Sequence, residues 1–373
     1  MAILGAGRFR KNAPRPRNRI ITLATEHKCV LESVKQLGRE GMDVEILPVK
    51  PDGLADLELL AKAICDDTAL VSVMAANNET GVLQPIAEIA AMCREHGAWF
   101  HTDAAQGFGK IPLDVGAQNI DLLSISGHKV YGPKGIGALF VRRRPRIRLE
   151  PLFFGGGQER GIRSGTLPAP LCIGLGAAAA VAAADMESDG ERLAALRDRF
   201  LSRIRASLPD VQVNGSMHRR LPHNLNLTFP GVDAQELLVA VPDLALSTGS
   251  ACSSAAVEPS YVLAAMGLSD AEARATVRIA LGRPTSADDV DRAADRLASA
   301  VQGLKKAAEA ALLELAVHPA FDQAVGDGVT ARKLYADAFR VVHLQAVQPF
   351  RVFHLVLLQD DFPILRLCME AQH

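Results

Sequence analysis

The sequence predicts an α/β protein whose larger part is a mainly parallel β-sheet with helices on both faces. Short apolar or β-branched runs alternate with segments of helical spacing from residue 20 to residue 125. This alternation is typical of parallel sheets. Polar clusters also follow the predicted strand ends, where such sheets bind their ligands. A smaller C-terminal α/β domain is predicted to begin near Asp185.

Strands are assigned to short apolar runs bounded by turn residues, and helices to longer segments whose apolar residues recur at helical spacing. The strands of the first domain are predicted at 20–24, 44–49, 69–74, 98–101, 120–125 and 137–141. Its helices are predicted at 30–37, 54–64, 86–96 and 174–184, the last rich in alanine. An amphipathic helix at 191–207 follows, and the change of domain is placed between these last two helices.

The second domain shows the same alternation, and a tail of different composition follows it. Strands are predicted at 211–213, 224–229 and 244–247, and helices at 234–239, 258–266 and 288–315. The last helix opens with the capping box Ser286-Ala-Asp-Asp289. Residues 317–373 hold four of the ten histidines, five of the thirteen phenylalanines and one lysine. The predicted domains are 1–185, 186–316 and a tail, 317–373, which is either an added interaction segment or sequence foreign to the ancestral gene.

Composition restricts the classes of function. The 373 residues carry a net charge of −1, which argues against bulk attraction to nucleic acid or to an anionic membrane. Five arginines between Arg8 and Arg19 are interpreted as part of a solvated loop. No apolar run approaches the roughly 20 residues of a membrane span, and no secretory leader opens the chain, which predicts a cytoplasmic protein. The six cysteines form no CxxC pair, which disfavours a zinc site or a disulfide framework.

A lysine in a glycine-rich turn is the first candidate for catalysis. Lys129 follows the strand at 120–125 and precedes Gly132, so the pattern places it on a loop beside Ser126 and His128. A lysine in such a setting can form a Schiff base with a carbonyl cofactor, although a surface lysine in a turn has the same local pattern. A polar glycine-rich segment at 155–166 suits close approach to an anion.

Pyridoxal phosphate, the aldehyde cofactor that binds lysine, needs further groups, and the chain offers them at strand ends. Asp103 is a carboxylate for the pyridine nitrogen, or else a helix N-cap. His27 is a ring that lies against the cofactor, or else a structural histidine. Gln106 and Asn78 are amides that can donate to the ring oxygen, although Asn77-Asn-Glu-Thr-Gly also makes an ordinary turn.

Together these residues resemble the cysteine desulfurases, which belong to the class V aminotransferase group of pyridoxal-phosphate enzymes. The resemblance runs in order from about residue 2 to about residue 305. It is carried by Thr25-Glu-His-Lys, Asn77-Asn-Glu-Thr-Gly, His101-Thr-Asp-Ala-Ala-Gln, Ser126-Gly-His-Lys, Arg163-Ser-Gly-Thr and Ser250-Ala-Cys-Ser-Ser. It implies the aspartate-aminotransferase-like fold of pyridoxal-phosphate transferases and a homodimer.

The resemblance also implies a role for each residue. Lys129 forms the Schiff base with the cofactor, Asp103 holds the pyridine nitrogen, and His27 stacks on the ring and moves protons. By the same resemblance, Asn78 and Gln106 contact the ring oxygen or the substrate, and Ser126 and His128 bind the phosphate. Thr166 reaches the phosphate of the other subunit, and Arg278 binds the substrate carboxylate. A planar guanidinium suits that last task, although Arg278 could instead form a surface salt bridge.

Cys252 determines the chemistry within the family. It lies in a run of small polar residues, which predicts an exposed loop and a reactive thiol, whereas a buried cysteine there would be inert. In the enzymes that it resembles, this thiolate takes sulfur from L-cysteine as a persulfide and alanine is released. The longer loop is similar to that of the group that delivers sulfur to iron–sulfur scaffold proteins. The predicted partners are therefore L-cysteine and such a scaffold or another sulfur acceptor, with no nucleic acid and no membrane.

The match departs from the family at its N-terminal end. The family has a Gly-Ala-Thr-Glu loop before a helix, which binds the cofactor phosphate at the helix N-terminus, and this chain begins at the helix that follows. We therefore expect a truncated desulfurase with weakened cofactor affinity. Two alternatives stay open: a related lyase or aminotransferase that forms no persulfide, and a non-catalytic remnant that keeps dimer or scaffold contacts. A nucleotide-binding Rossmann domain is disfavoured because no G-x-G-x-x-G follows a strand.

Overall fold

Six strands form the larger of two sheets in the computed structural model, which describes residues 1–248 and 259–317, with side chains to residue 310. The strands are β1 Arg19–Leu23, β2 Asp43–Leu47, β3 Thr68–Ser72, β4 Trp99–Asp103, β5 Leu122–Ser126 and β6 Gly137–Val141. Their order is β2-β1-β3-β4-β5-β6. All neighbours are parallel except β5 and β6. The predicted mainly parallel sheet is confirmed.

Nine α-helices and three further strands complete the described chain. The helices are α1 Ala2–Lys11, α2 Lys28–Arg39, α3 Leu57–Ala63, α4 Ile86–Glu95, α5 Ala169–Ser207, α6 Ala234–Ala240, α7 Tyr261–Ala265, α8 Asp270–Arg274 and α9 Ala287–Val317. The strands β7 Gln212–Val213, β8 Asn224–Thr228 and β9 Thr276–Ala280 form an antiparallel sheet in the order β7-β8-β9. Two short 3-10 helices lie at Gly127–Lys129 and Gln158–Gly161.

Successive residues of the central strands pack into different cores, because side chains alternate between the two faces of a strand. Ile21 and Val71 join one buried cluster, which includes Leu60 of α3 and Ile89 of α4. Their neighbours Ile20 and Leu70 join a second cluster with residues of α1 and α2. The continuous apolar runs of β1 and β3 therefore reflect burial on both faces, as expected of parallel strands.

Helix α5 corrects the sequence prediction. It runs unbroken for 39 residues, where two helices, 174–184 and 191–207, are predicted. The composition changes between the two segments, but no proline lies between them, and Gly190, the one glycine between them, is tolerated inside the helix. The domain change predicted near Asp185 falls inside α5 and stays a prediction. By backbone contacts, Met1–Gln302 forms one compact unit, and the described residues from Gly303 onward are not part of it.

Several smaller predictions are also wrong. Residues 244–247 form no strand, although Ser247 makes an isolated bridge with Arg278. The sequence analysis also missed strand β9 and helix α8, each five residues long. Of the arginines assigned to a solvated loop, Arg8 lies in α1 and forms a 2.7 Å ion pair with Glu40. The capping box before α9 is confirmed: Ser286 Oγ accepts from the Asp289 N–H at 3.1 Å, and Asp289 Oδ2 accepts from the Ser286 N–H at 3.0 Å.

Among the described residues, α5 is long and apolar enough to cross a membrane, by length and composition alone. This contradicts the expectation that no apolar run approaches that length. Only 6% of the apolar stretch of α5 is buried within the chain, whereas Phe200 and Ile204, near the C-terminal end of the helix, are buried. The exposed apolar stretch is therefore confined to the N-terminal half of α5.

A buried histidine links the three central strands. His101 of β4 is 2% exposed and lies between two serine hydroxyls, Ser72 Oγ of β3 at 2.8 Å and Ser124 Oγ of β5 at 2.9 Å. Burial lowers the pKa of His101 to about 3. The ring therefore stays neutral in the folded protein at pH values where the unfolded chain would protonate it.

We predict that His101 makes the fold sensitive to acid. Its folded pKa lies below the ordinary histidine value of about 6.5, so its contribution to stability is complete above about pH 6.5 and is lost as the pH falls towards 3. Between these two pH values, the titration of His101 changes the free energy of unfolding by roughly 1.4 kcal/mol per pH unit. Denaturant unfolding of His101→Gln should show a shallower pH dependence than the parent and than the control His96→Gln, which replaces a half-exposed histidine. An equal slope in His101→Gln would contradict the assignment.

Candidate active site

Four neighbouring strands end beside one another and carry the predicted site residues. Strands β1, β3, β4 and β5 are adjacent and parallel, so their carboxyl ends meet at one edge of the sheet. The residues that follow or end these strands are His27, Asn78, Asp103 and Lys129. The structure therefore brings together four predicted residues that are up to 102 positions apart in the chain, as the numbering of His27 and Lys129 shows.

Asp103 ends β4 and is largely buried. Its Oδ1 accepts a hydrogen bond from the Ala105 N–H at 2.8 Å. Burial raises the pKa of Asp103, while that hydrogen bond and the charge of His27 act in the opposite direction. His27 is therefore close enough to Asp103 to act on it electrostatically. A buried carboxylate of this kind is stabilised by a ligand that brings a cationic donor.

His27 is the N-cap of α2, as the structural interpretation of this residue expects, while its role at a cofactor stays a prediction. Its Nδ1 accepts from the Cys29 N–H at 3.2 Å and lies 3.1 Å from Cys29 Sγ. Because Nδ1 is an acceptor, the neutral ring carries its proton on Nε2. The cap thus fixes the tautomer, and Nε2 is the nitrogen that can exchange a proton with a ligand.

The lysine loop forms the Gly127–Lys129 3-10 helix after β5. Ser126 Oγ lies 3.0 Å from His128 Nδ1, so the two predicted phosphate ligands are in hydrogen-bond contact. Lys129 is exposed and borders a cleft of about 230 Å³ that Lys110 also lines. Burial, together with the charge of Lys129, lowers the pKa of Lys110 to about 8. Lys110 Nζ in turn donates to Gln106 Oε1 at 3.4 Å.

Arg278 and Asn78 are joined by a direct contact although they are 200 residues apart. Arg278 Nη1 donates to the Asn78 backbone carbonyl at 2.9 Å. Among the described side chains, no carboxylate forms an ion pair with Arg278, so a surface salt bridge does not account for it. Asn78 Oδ1 is buried and has no hydrogen-bond partner among the described residues. A ligand that donates a hydrogen bond would satisfy this oxygen.

Two predicted residues are not brought to this edge of the sheet. Thr166 is exposed, in the segment between the Gln158–Gly161 3-10 helix and α5, which fits its predicted contact with another subunit. Cys252 lies outside the described residues. The nearest described positions on either side of it are Thr248 and Pro259.

Sequence reasoning missed three titratable groups at the site. Glu26 is fully buried, its Oε1 accepts from the Met74 N–H at 2.7 Å, and burial raises its pKa well above the ordinary value. Glu79 is 3% exposed, and burial raises its pKa to about 7. Lys110 is the third. Both glutamates stand inside motifs that carry the family resemblance, so a carboxylate within each of these motifs was the available signal.

The residues at the strand ends fit pyridoxal phosphate. Asp103 is a buried carboxylate that a pyridinium nitrogen would pair, and the Asn78 amide oxygen is buried without a described partner. Ser126 and His128 form a polar pair on one side of Lys129. These side chains can accommodate the cationic ring nitrogen, a hydrogen-bond donor and the phosphate of the cofactor.

The fold and this edge of the sheet define a class of enzymes that bind an aldehyde cofactor on a lysine, and comparison with known proteins agrees. The sequence profile of the family described as aminotransferase class-V matches residues 3–293. The chain therefore belongs to the class V aminotransferase family, whose members use pyridoxal phosphate. This confirms the predicted family and fold.

The similar proteins are cysteine desulfurases and NifS-like proteins. The chain is 52% identical over 306 residues to "Cysteine desulfurase IscS" of Rickettsia africae (strain ESF-5), an alignment that covers 82% of this chain and 74% of that protein. A solved structure described as a NifS-like protein has a TM-score of 0.71 at 31% identity and covers 80% of both chains. A structure described as SspA in complex with cysteine has a TM-score of 0.63 at 40% identity, covering 75% of this chain and 77% of that one.

We predict that Asp103→Asn weakens cofactor binding. The change keeps the shape of the side chain and removes the buried charge that a pyridinium would pair. A charge-assisted hydrogen bond contributes about 1.5–3 kcal/mol, which corresponds to roughly a tenfold to hundredfold loss of affinity. The measurement is an absorption titration with pyridoxal phosphate. Asp114→Asn is the matched control, because Asp114 makes a similar local turn, with Gly116 N–H at 2.7 Å, on the exposed surface. Equal affinities in the two variants would contradict the role of Asp103.

Proposed function

We propose that this protein is a cysteine desulfurase that converts L-cysteine to L-alanine and keeps the sulfur as a persulfide on Cys252. The observation that carries this proposal is 52% identity over 306 residues to a protein named cysteine desulfurase. In the overall step, the carbon–sulfur bond of the substrate breaks and a sulfur–sulfur bond forms at Cys252. The carbon that loses sulfur gains hydrogen, so the thiol is oxidised and the substrate carbon reduced without another reagent.

Substrate binding is assigned to Arg278 and Asn78. A guanidinium offers two parallel donors to a carboxylate, and Arg278 has no described ion-pair partner that would compete. Arg278 Nη1 donates to the backbone carbonyl of Asn78 at 2.9 Å, so both residues belong to the same part of the site. The unpartnered Oδ1 of Asn78 can accept from the substrate ammonium group. These two residues would orient the amino acid at the strand ends.

The cofactor would be held by Asp103, Gln106, Ser126, His128 and Lys129, with Thr166 contributed by a second subunit. When bound, pyridoxal phosphate supplies a ring that withdraws electrons from the substrate α-carbon and so weakens its bonds. His27 would hold a proton on Nε2, because its Nδ1 is committed to the Cys29 N–H. Lys129 would move a proton at Nζ, and its exposure on the lysine loop leaves that atom accessible.

A homodimer and a sulfur acceptor complete the proposal. Large apolar side chains are exposed on both sides of the glycine-rich segment in the sequence and along the N-terminal half of α5. They are Phe153, Phe154, Leu167, Ile173 and Val181. Exposed apolar side chains of this kind support an interface between two copies, and Thr166, also exposed, directly precedes Leu167. An iron–sulfur scaffold protein is proposed as the acceptor of the Cys252 sulfur, and the cytoplasm as the place of reaction.

We predict that Cys252→Ala abolishes sulfide release from L-cysteine in the presence of a reducing thiol, by at least a hundredfold, because no persulfide can form. The cofactor absorption band should be retained, since Cys252 is not assigned to cofactor binding. Cys65→Ala, a half-buried cysteine outside the site, is the control and should stay within twofold of the parent. If Cys252→Ala still eliminates or transaminates amino acids at the parental rate, a lyase or aminotransferase without a persulfide is the better interpretation.

We predict that Lys129→Ala removes both the cofactor absorption band and desulfurase activity. Lys134→Ala, an exposed lysine of the same loop, should change neither. The comparison separates an enzyme from a binding remnant: in a remnant, the parent and Lys129→Ala would show the same spectrum and the same affinity for a scaffold protein. A spectral change that depends on Lys129 would argue against the remnant.

A further inference from the structure

Glu79 is a buried carboxyl group that the proposed reaction leaves without a role. It lies in the turn at residues 77–84, which we call the linking turn because it is hydrogen-bonded both to Thr25, shortly after β1, and to Asn224 and Asn226 of β8. Glu79 Oε2 accepts a hydrogen bond from Ser260 Oγ at 2.5 Å. Ser260 is the N-cap of α7, and its Oγ accepts from the Leu263 N–H at 3.3 Å. The single hydroxyl proton of Ser260 is thus committed to Glu79.

Two cations face Glu79 from different elements. Burial raises the pKa of Glu79 to about 7, and the Ser260 hydrogen bond, Arg278 of β9 and Lys28 of α2 lower it, in that order of size. The groups contributed by β8 are neutral: the amides of Asn224 and Asn226 both point to the Glu79 backbone carbonyl at 3.4 Å. Among the described residues, Arg278 and Lys28 are thus the charged groups that act on this carboxyl.

Arg278 is fixed against the linking turn. Its Nη1 donates to the carbonyl of Asn78, the residue before Glu79, at 2.9 Å. Its backbone N–H donates to the Ser247 carbonyl at 2.7 Å. The guanidinium therefore cannot move far from Glu79 without breaking these contacts. Arg278 and Glu79 act on each other electrostatically, and Glu79 is 3% exposed, so a change in the charge of Glu79 is poorly screened from Arg278.

We propose that Glu79 is a positioning residue of this enzyme: the ionisation of its carboxyl group sets how strongly Arg278 attracts the carboxylate of the amino-acid substrate. Neutral Glu79 leaves the full charge of Arg278 to the substrate. Ionised Glu79, held by Ser260, offsets part of that charge and weakens substrate binding. The inference rests on the proposed function, because it assigns the substrate carboxylate to Arg278.

The test compares Glu79→Gln with the parent holoenzyme, measuring KM and kcat for L-cysteine from pH 5.5 to 9. Glutamine keeps the shape and the acceptor for Ser260 but cannot ionise. The ratio of parental to variant KM should be about one at pH 5.5 and rise to roughly three- to tenfold above pH 8. Ionisation of the substrate itself cancels in this ratio. A ratio that is flat across pH, or a change confined to kcat, would overturn the proposal.

Two matched serine variants locate the effect. Ser260→Ala removes the hydrogen bond that favours the ionised carboxylate, so the rise in the KM ratio should move to higher pH. Ser269→Ala removes a comparable N-cap, that of α8, whose hydroxyl accepts from the Glu272 N–H at 3.3 Å. It should leave the midpoint unchanged even if thermal stability falls. The same midpoint shift in both variants would mean that a general loss of helix capping is responsible, and the proposal would fail.

A measurement without catalysis separates this inference from the proposed function. If the parent releases no sulfide from L-cysteine, the proposed function fails, but the interaction between Glu79 and Arg278 can still be measured. A double-mutant cycle of Glu79→Gln and Arg278→Gln in thermal unfolding should show coupling at pH 8 and none at pH 5.5. Absence of coupling at pH 8 would contradict the inference, whichever reaction the protein catalyses.

Discussion

The linking turn at residues 77–84 is the constraint on which the geometry of the site depends. Asn77, Glu79, Thr80 and Gln84 are all at most 5% exposed, and buried polar groups must find partners. Several partners come from distant parts of the chain. Among them are the Asn224 and Asn226 amides, the Ser260 hydroxyl and the Leu221 N–H, which donates to the Gly81 carbonyl at 2.8 Å. Satisfying this turn brings Arg278 to Asn78.

Gly81 shows how tightly the turn is packed. Its φ of +75° lies in the left-handed region that favours glycine, and a Cβ atom there would collide with the side chain of Asn224. The same position therefore requires glycine both for its backbone conformation and for the close approach of β8. Any side chain at this position would move β8 away from the carbonyl of Glu79, and with it the antiparallel neighbour β9, which carries Arg278.

Charge balance is the second organising feature. Glu26, Glu79 and Asp103 are carboxyl groups whose pKa values are all raised by burial, and Arg278 and Lys28 act electrostatically on Glu79, and His27 on Asp103. Asp103 and Glu26 act on each other electrostatically. A site that holds several buried acids favours ligands with positive charge, such as a pyridinium ring and an α-ammonium group. The anionic parts of those ligands are left to Arg278 and the lysine loop.

The sequence by itself determined the alternation of strands and helices, because apolar periodicity is a local property, and its motifs predicted that Lys129, Asp103, His27 and Asn78 lie at strand ends. It did not reveal the continuity of α5 or the strand β9, since their stability comes from contacts with distant residues. Only the tertiary structure decided that Glu79 faces Ser260 and Arg278, which follow it by 181 and 199 positions in the numbering. Burial and the pairing of charges depend on what the folded chain places beside a group, and no local pattern records them.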